Sequence, residues 1–181
     1  MAREVGAMIE QNHTADPRIV AWLEAEAAGT KHCVDFGCGV GTYTSHIPAA
    51  RIRSGVDIHR PFLERCTDDS LDLVQGSMCQ WETLELGKFD TAVFIDSIEH
   101  VIWNQARRLL MALQARHHVR RILVFGPAGY HPQIDHKATL HPDDFKKMGF
   151  RVVVDENFHS TRAVSRAAFF AVFKKPGRNP L

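Results

Sequence analysis

Short runs of apolar residues alternate along the chain with longer stretches in which apolar and polar residues mix. Most of the short runs are rich in valine, isoleucine and phenylalanine and are followed by an acid or a glycine, which is typical of strands buried on both faces. The pattern predicts strands at 32–36, 51–58, 71–76, 89–96, 121–125, 150–154 and 168–173.

Helix signals stand between these strands. Asp16 followed by Pro17 is typical of a helix start, and Gly29 is placed to end that helix. Pro61 stands early in the next candidate helix, where its missing N–H does no harm. Further helices are predicted at 42–47, 60–66, 101–118 and 142–148.

Strands that alternate with helices predict right-handed crossovers and a mostly parallel sheet that is covered on both faces. The last two strands have no helix between them, so we expect a hairpin that adds one antiparallel edge strand. The pattern therefore predicts an α/β fold in three layers around a seven-stranded, mostly parallel sheet.

The chain has 181 residues, the size of a single domain with a full core. We expect one domain over 1–181, with an N-terminal extension at 1–15 and a tail at 175–181. The net charge of +1 gives no overall basic field that would favour nucleic acid. Four cysteines without a C-x-x-C pair favour a reduced, cytoplasmic setting. No apolar run approaches the ~20 residues of a membrane span, so no membrane partner is expected.

The strongest chemical signal is the turn after the first strand, where Gly37, Gly39 and Gly41 alternate behind Asp35. A strand, a glycine-rich turn and a helix start bring backbone amides toward a ligand, and glycine lets the chain approach it closely. A dinucleotide-binding turn has the spacing G-x-G-x-x-G, whereas the third glycine here comes one residue early. Asp35 also suits a ligand with a positively charged amino group better than a pyrophosphate. An ordinary strand-to-helix turn is the alternative interpretation.

A second acid, Asp57, ends the second strand about twenty residues beyond the glycine turn. A carboxylate at this position can accept hydrogen bonds from both hydroxyls of a ribose. A helix N-cap or a loop salt bridge is the alternative for this residue.

The D-x-G-x-G-x-G turn resembles the first motif of the class I S-adenosylmethionine-dependent methyltransferases. The end of the fourth strand, Asp96-Ser97-Ile98-Glu99-His100, resembles the fourth motif of the same superfamily in its small, single-domain, type 11/12-like subgroup. The resemblance covers about residues 32–175 and implies a Rossmann-like fold with S-adenosyl-L-methionine as cofactor. It implies that the cofactor is bound by Asp35, Gly37, Cys38, Gly39, Gly41, Asp57, Ile58, Gly76, Ser77, Met78, Asp96 and Ser97.

The third strand departs from the family pattern. It is followed by Ser77 and Met78, where methyltransferases often carry an acid that contacts the adenine amino group. The resemblance then implies that Ser77 hydrogen-bonds the adenine and that Met78 packs on its face.

The resemblance implies an in-line attack by an acceptor oxygen or nitrogen on the sulfonium methyl group, for which the enzyme mainly supplies alignment. His100, Tyr130 and His131 are the candidate catalytic residues, since a base is needed where the nucleophile must lose a proton. His100 is equally well explained as a helix-start residue that bonds to backbone.

The loop after the fifth strand holds further histidines and an acid. The spacing of His131, Asp135, His136 and His141 is not a known ligand pattern, so the sequence predicts no metal site.

The sequence therefore predicts an enzyme that methylates an oxygen or nitrogen of a small-molecule acceptor. The stretch 95–98 lacks the Asn/Asp-Pro-Pro-aromatic tetrad of amino-methylating nucleic-acid enzymes, and no continuous basic track is visible. Two alternatives come from other classes. One is a non-catalytic Rossmann-like domain that binds a cofactor or a partner, and the other is a nicotinamide-dependent reductase, against which the glycine spacing argues.

Overall fold

The computed structural model describes residues 14–47, 52–131, 135–159 and 166–176. Within these ranges the predicted strands form a single seven-stranded sheet. The strands are β1 (His32–Phe36), β2 (Ile52–Asp57), β3 (Asp72–Gln75), β4 (Thr91–Ile95), β5 (Arg121–Pro127), β6 (Arg151–Asp155) and β7 (Ala168–Lys174).

The strand order is β3-β2-β1-β4-β5-β7-β6. Neighbours from β3 to β5 pair in parallel, whereas β7 pairs antiparallel with both β5 and β6. The predicted fold class is confirmed, with the antiparallel strand inserted beside the outermost strand β6. The chain runs from β1 to β2 on one side and later to β4 on the other. The crevice at this reversal is where open α/β sheets bind their ligands.

Four α-helices and three short 3-10 helices connect the strands in the described residues. Asp16 caps the first helix as predicted, because its Oδ1 accepts a hydrogen bond of 2.8 Å from the backbone N of Arg18. The α-helices are α1 (Pro17–Glu26), α2 (Arg60–Leu63), α3 (Trp103–Ala115) and α4 (Pro142–Lys147), and the 3-10 helices span Thr44–His46, Met78–Thr83 and Ile98–His100.

The helix predicted at 42–47 is wrong in type, since only one 3-10 turn forms there. Ile47 precedes a proline and has an extended backbone, with φ −95° and ψ 90°. A residue before proline is disfavoured in the α region, so the turn stops before an α-helix is established.

Alternate residues of the central strands pack on opposite faces of the sheet. In β4, Ala92 and Phe94 belong to the core covered by α3 and α4, whereas Val93 and Ile95 belong to the core covered by α1. Both faces of the sheet are therefore buried, which explains why the central strands have continuous apolar sequences. Several buried polar side chains, those of Asp35, Asp57, Ser97 and Glu99, lie near or beyond the carboxyl ends of strands, where the candidate site lies.

None of the helices among the described residues has the length and apolar character needed to span a membrane. Most of the predicted N-terminal extension and most of the predicted tail fall at 1–13 and 177–181, outside the described residues. The division into one domain with two short ends stays a prediction.

Candidate functional site

The carboxyl ends of the five parallel strands β1 to β5 lie together at one end of the sheet. Three of these strands end in residues that the sequence analysis identifies as candidate site residues. β1 leads into the glycine turn, β2 ends at Asp57, and β4 is followed by Asp96. Groups that are far apart in sequence are therefore neighbours in space.

All three glycines of the turn have left-handed backbone, with φ of 81° at Gly37, 58° at Gly39 and 81° at Gly41. Side chains rarely adopt this region, so the turn requires glycine for its path alone. The start of the turn is fixed to β2, because the N–H groups of Gly37 and Cys38 both donate to O of Val56, at 2.7 and 3.1 Å.

The space around the three glycines differs. A methyl group on Gly37 would lie 2.5 Å from Cβ of Ser97, and one on Gly41 would lie 2.9 Å from Sγ of Cys66. A methyl group on Gly39 would meet no atom within 4 Å. Gly37 and Gly41 are thus needed for packing inside the protein, whereas Gly39 faces open space that a ligand can fill.

Asp57 connects β2 to the glycine turn. Its Oδ2 accepts a hydrogen bond of 2.9 Å from N of Gly39, and its Oδ1 accepts one of 2.7 Å from N of His59. Each oxygen keeps a lone pair, so the carboxylate is held rigidly with capacity for two further donors. Next to it Ile58 is 70% exposed, which places a large apolar side chain in solvent beside the carboxylate.

Asp35 lies beneath the turn and is only 2% exposed. Its Oδ2 accepts a hydrogen bond of 2.6 Å from Oγ1 of Thr44, whereas its Oδ1 is buried without a hydrogen-bond partner among the described residues. Burial raises the pKa of Asp35 to about 7, and the charge of Asp57 adds to the increase. The structure therefore holds a carboxylate that is costly to ionise unless a cation approaches it.

We expect this carboxyl group to make stability fall with rising pH. A folded pKa above the unfolded value means that the native state binds the extra proton, so its stabilisation is complete at low pH and is lost as pH rises toward about 7. Replacing Asp35→Asn should remove roughly 2–3 kcal/mol of the decline between pH 5 and pH 8. Denaturant unfolding at both pH values measures the difference, with Asp72→Asn at an exposed position as the control. Equal pH dependence in wild type and Asp35→Asn would contradict the assignment.

The groups after β3 mostly serve local structure. A methyl group on Gly76 would lie 2.5 Å from Cδ2 of Leu84, so glycine is needed there for packing. Oγ of Ser77 accepts a hydrogen bond of 3.3 Å from N of Cys79 and caps the 3-10 helix. Met78 reaches the glycine turn, where its Cε lies 3.3 Å from the position of a methyl group on Gly37.

Cys38 also has a packing role. Its thiol is buried, and a methyl group on Gly55 of β2 would lie 2.7 Å from its Sγ. Burial raises the pKa of this thiol, so it stays protonated and behaves as a small apolar group.

The end of β4 is strained. Asp96 has φ 44° and is the only non-glycine residue with positive φ in the described part of the chain. Such outliers cluster at functional sites, where surrounding contacts hold them. Asp96 is exposed to solvent, yet desolvation by the protein around its carboxylate raises its pKa. Beside it, Oγ of Ser97 is buried and has no hydrogen-bond partner among the residues that the structure describes.

Glu99 follows within the same segment and is only 1% exposed. Its Oε2 is buried and has no hydrogen-bond partner in the part of the chain that the structure describes, and its Oε1 lies 3.9 Å from Nε2 of His136, too far for a hydrogen bond. Burial raises the pKa of Glu99, and the nearby charge of Asp96 adds to the effect. Buried carboxylates are normally hydrogen-bonded, so this one is exceptional.

The histidines lie in one group beside Glu99. Nδ1 of His100 forms a hydrogen bond of 3.3 Å with the backbone O of Asp135 and is also 3.3 Å from Oδ2 of that residue. The rings of His100 and His136 are 5.0 Å apart between centroids. The ring of His131 is 5.4 Å from that of His136, and its Nε2 is 3.3 Å from Nη1 of Arg166. Burial and the Arg166 charge lower the pKa of His131.

The candidate catalytic residues are therefore placed differently. His100 and His131 border the same cluster, whereas Tyr130 is 81% exposed. Sequence reasoning gave no role to Glu99, although it quoted the residue within a motif, and it considered His136 only together with loop residues. The structure instead brings Glu99, His100 and His136 together, with possible ligand atoms that all lie within 4.8 Å of one another.

Comparison with known proteins agrees with this geometry. Residues 34–118, from β1 through α3, match the family model of the methyltransferase domain. No curated protein sequence matches the chain.

Several solved methyltransferases share the fold. The S-adenosylmethionine-dependent methyltransferase from Archaeoglobus fulgidus is similar with a TM-score of 0.68 at 17% identity, over 88% of this chain and 94% of that one. The small RNA methyltransferase HEN1 gives 0.67 at 18% identity over 92% of this chain, which spans only 26% of HEN1. Magnesium protoporphyrin IX methyltransferase from Synechocystis, with bound SAH, gives 0.57 at 18% identity over 86% of this chain and 80% of that one.

Proposed function

We propose that this chain, in which residues 34–118 match a methyltransferase domain, is an S-adenosylmethionine-dependent methyltransferase that transfers a methyl group to an oxygen or nitrogen of a small-molecule acceptor. The observation that carries the proposal is the open glycine turn held by Asp57, opposite the strained end of β4. One surface there suits the cofactor, and the polar cluster beside it suits the acceptor.

The cofactor surface fits S-adenosylmethionine, whose sulfonium carries an activated methyl group. Asp57 holds lone pairs ready for the ribose hydroxyls, and exposed Ile58 offers an apolar face to the adenine. The unpartnered Oδ1 of Asp35 suits the ammonium of the amino-acid part, since a cation there would favour the ionised carboxylate. Open space at Gly39 lets the ligand approach the backbone.

The acceptor surface is formed by Asp96, Ser97 and the cluster around Glu99. Ser97 contacts the glycine turn through the space that Gly37 leaves, so the end of β4 directly adjoins the cofactor surface. Residues at this position can orient an acceptor atom toward the methyl group, which is the main contribution an enzyme makes to this reaction. His100 and His131 stay the candidate bases, and Tyr130 stays a third.

The charges around this surface support a small molecule rather than nucleic acid. Asp96, Glu99 and Asp135 place three carboxyl groups beside the histidines, whereas a polyanion is bound by clustered lysine and arginine side chains. The chain as a whole carries a net charge of only +1. A cytoplasmic setting is part of the same proposal.

Methyl transfer to separated cell fractions tests the proposal. Labelled S-adenosylmethionine and the purified chain are incubated with the small-molecule, RNA, DNA and protein fractions of a cell extract at physiological salt. We expect label in the small-molecule fraction only. Label in RNA or DNA would refute the acceptor class, and no label in any fraction would favour a non-catalytic binding domain.

Calorimetric titration addresses the reductase alternative. We expect S-adenosylhomocysteine to bind and NADH not to bind, because the turn has the wrong glycine spacing for a dinucleotide. Tight binding of NADH alone would replace the proposed function by a nicotinamide-dependent one.

A further inference from the structure

We propose that Glu99, His100 and His136 bind a first-row divalent metal ion beside the position of methyl transfer. Sequence reasoning predicts no metal site, because the ligands come from two separate segments and follow no spacing pattern. The structure brings them together at the carboxyl end of β4, with possible ligand atoms within 4.8 Å of one another.

The first argument is the state of Glu99. Its side chain is 1% exposed, and its Oε2 contacts no donor in the described residues. A buried carboxylate without partners is strongly unfavourable unless a charge compensates it. The position of a methyl group on Gly126 lies 3.6 Å from Oε2, so the oxygen faces the backbone of β5, which offers it no hydrogen bond. The Glu99 carboxylate is thus buried without a compensating donor or cation among the described residues.

The second argument is that backbone hydrogen bonds hold the loop after β5 against the backbone of Glu99. The backbone N–H groups of Lys137 and Ala138 donate to O of Glu99, at 2.8 and 3.0 Å. A bridge between Gly129 and Leu140 closes the same loop. These backbone bonds place the imidazole of His136 against the Glu99 carboxylate, and the His136 side chain is only 8% exposed. The juxtaposition is therefore built into the fold.

The third argument is the orientation of His100. Its Nδ1 forms a hydrogen bond of 3.3 Å with the backbone O of Asp135 and is also 3.3 Å from Oδ2 of the same residue, which leaves Nε2 for an ion. A histidine held by a backbone carbonyl or a carboxylate through one nitrogen and by a metal through the other is the usual arrangement in metal sites. Ligand atoms about 2.1 Å from an ion lie roughly 3–4 Å apart, so small side-chain rotations complete the site.

The ligand set selects the kind of metal. One carboxylate and two imidazoles suit a first-row ion such as manganese, iron, cobalt or zinc, whereas magnesium and calcium prefer all-oxygen sites. Three protein ligands leave coordination positions for an acceptor oxygen. In that role, which rests on the proposed methyl transfer, the ion holds the acceptor next to the methyl group, and His100 is a ligand and not a base.

Manganese binding tests the site directly. Mn²⁺ is the probe because it binds oxygen and nitrogen ligands and avoids the four free thiols of the chain. Free Mn²⁺ is followed by electron paramagnetic resonance in titrations of the chelator-treated protein. We expect one Mn²⁺ ion to bind per chain. Glu99→Gln and His136→Ala should each weaken Mn²⁺ binding at least about tenfold, because replacing even a residue that only hydrogen-bonds to a metal ligand lowers metal affinity roughly 10- to 100-fold.

Matched controls separate loss of a ligand from loss of the fold. His117→Ala removes an exposed histidine after α3 and should bind Mn²⁺ as wild type does. Circular dichroism must be unchanged in every variant, and Glu99→Gln keeps the shape of the side chain. Failure of the wild type to bind Mn²⁺, or wild-type affinity in both Glu99→Gln and His136→Ala, would overturn the proposal.

The same variants distinguish this proposal from the proposed function. We expect Glu99→Gln and His136→Ala to keep wild-type affinity for S-adenosylhomocysteine, because Asp57 and the glycine turn bind it. Mn²⁺ binding without any cofactor binding would refute the methyltransferase function and leave the metal site standing. Cofactor binding without Mn²⁺ binding would refute the metal site and leave the methyltransferase function standing.

Discussion

Asp57→Ala is expected to weaken the binding of S-adenosylhomocysteine about 30- to 150-fold. The substitution removes charge-assisted hydrogen bonds to the ribose hydroxyls, which contribute roughly 2–3 kcal/mol. Calorimetric titration measures the change. Asp72→Ala, which removes an exposed acid at the opposite end of the neighbouring strand β3, should bind as wild type does.

A second ligand separates the ribose contact from the structural role of Asp57. The carboxylate also accepts from N of Gly39, so its loss can loosen the glycine turn. The 2′-deoxy analogue of S-adenosylhomocysteine lacks one ribose hydroxyl. Wild type should discriminate against it, and Asp57→Ala should lose most of that discrimination. If the variant discriminates as strongly as wild type, Asp57 does not bind the ribose.

The elements that the sequence predicts well are those that local patterns determine. β1 has the predicted bounds because a short apolar run meets Gly37, where the chain must turn. Asp57 falls at the end of β2 as predicted. Since the carboxyl ends of parallel strands meet, the sequence pattern was enough to place Asp35 and Asp57 near the same edge of the sheet, where we propose that the cofactor binds.

What the sequence could not show depends on how distant segments return to one another. The insertion of β7 between β5 and β6 leaves no local signal, since a simple hairpin would have the same pattern. His136 lies near Glu99 because backbone hydrogen bonds join the segment after β5 to the segment after β4. The positive φ of Asp96 could not be predicted from the sequence either, because the surrounding structure imposes it.

The glycine turn illustrates the same limit in one motif. Sequence reasoning treats the three glycines alike, because all lie in a turn that needs left-handed backbone. The structure separates them: Gly37 and Gly41 are surrounded by protein atoms, and Gly39 is not. Only the packing of Ser97 and Cys66 around the turn reveals that Gly39, and neither Gly37 nor Gly41, faces open space.

That difference leads to the second large effect. Gly39→Val should weaken S-adenosylhomocysteine binding about 10- to 100-fold, because the side chain enters space that the ligand needs and overpacking costs roughly 1–3 kcal/mol. The variant should still fold, since a methyl group there meets no protein atom within 4 Å and only the backbone, at φ 58°, is strained. Gly149→Val is the matched control, because Gly149 also has open space and φ 86° but lies between α4 and β6. The two variants should lose similar stability in denaturant unfolding, and only Gly39→Val should lose the ligand. Equal binding by both would mean that the turn has a structural role alone.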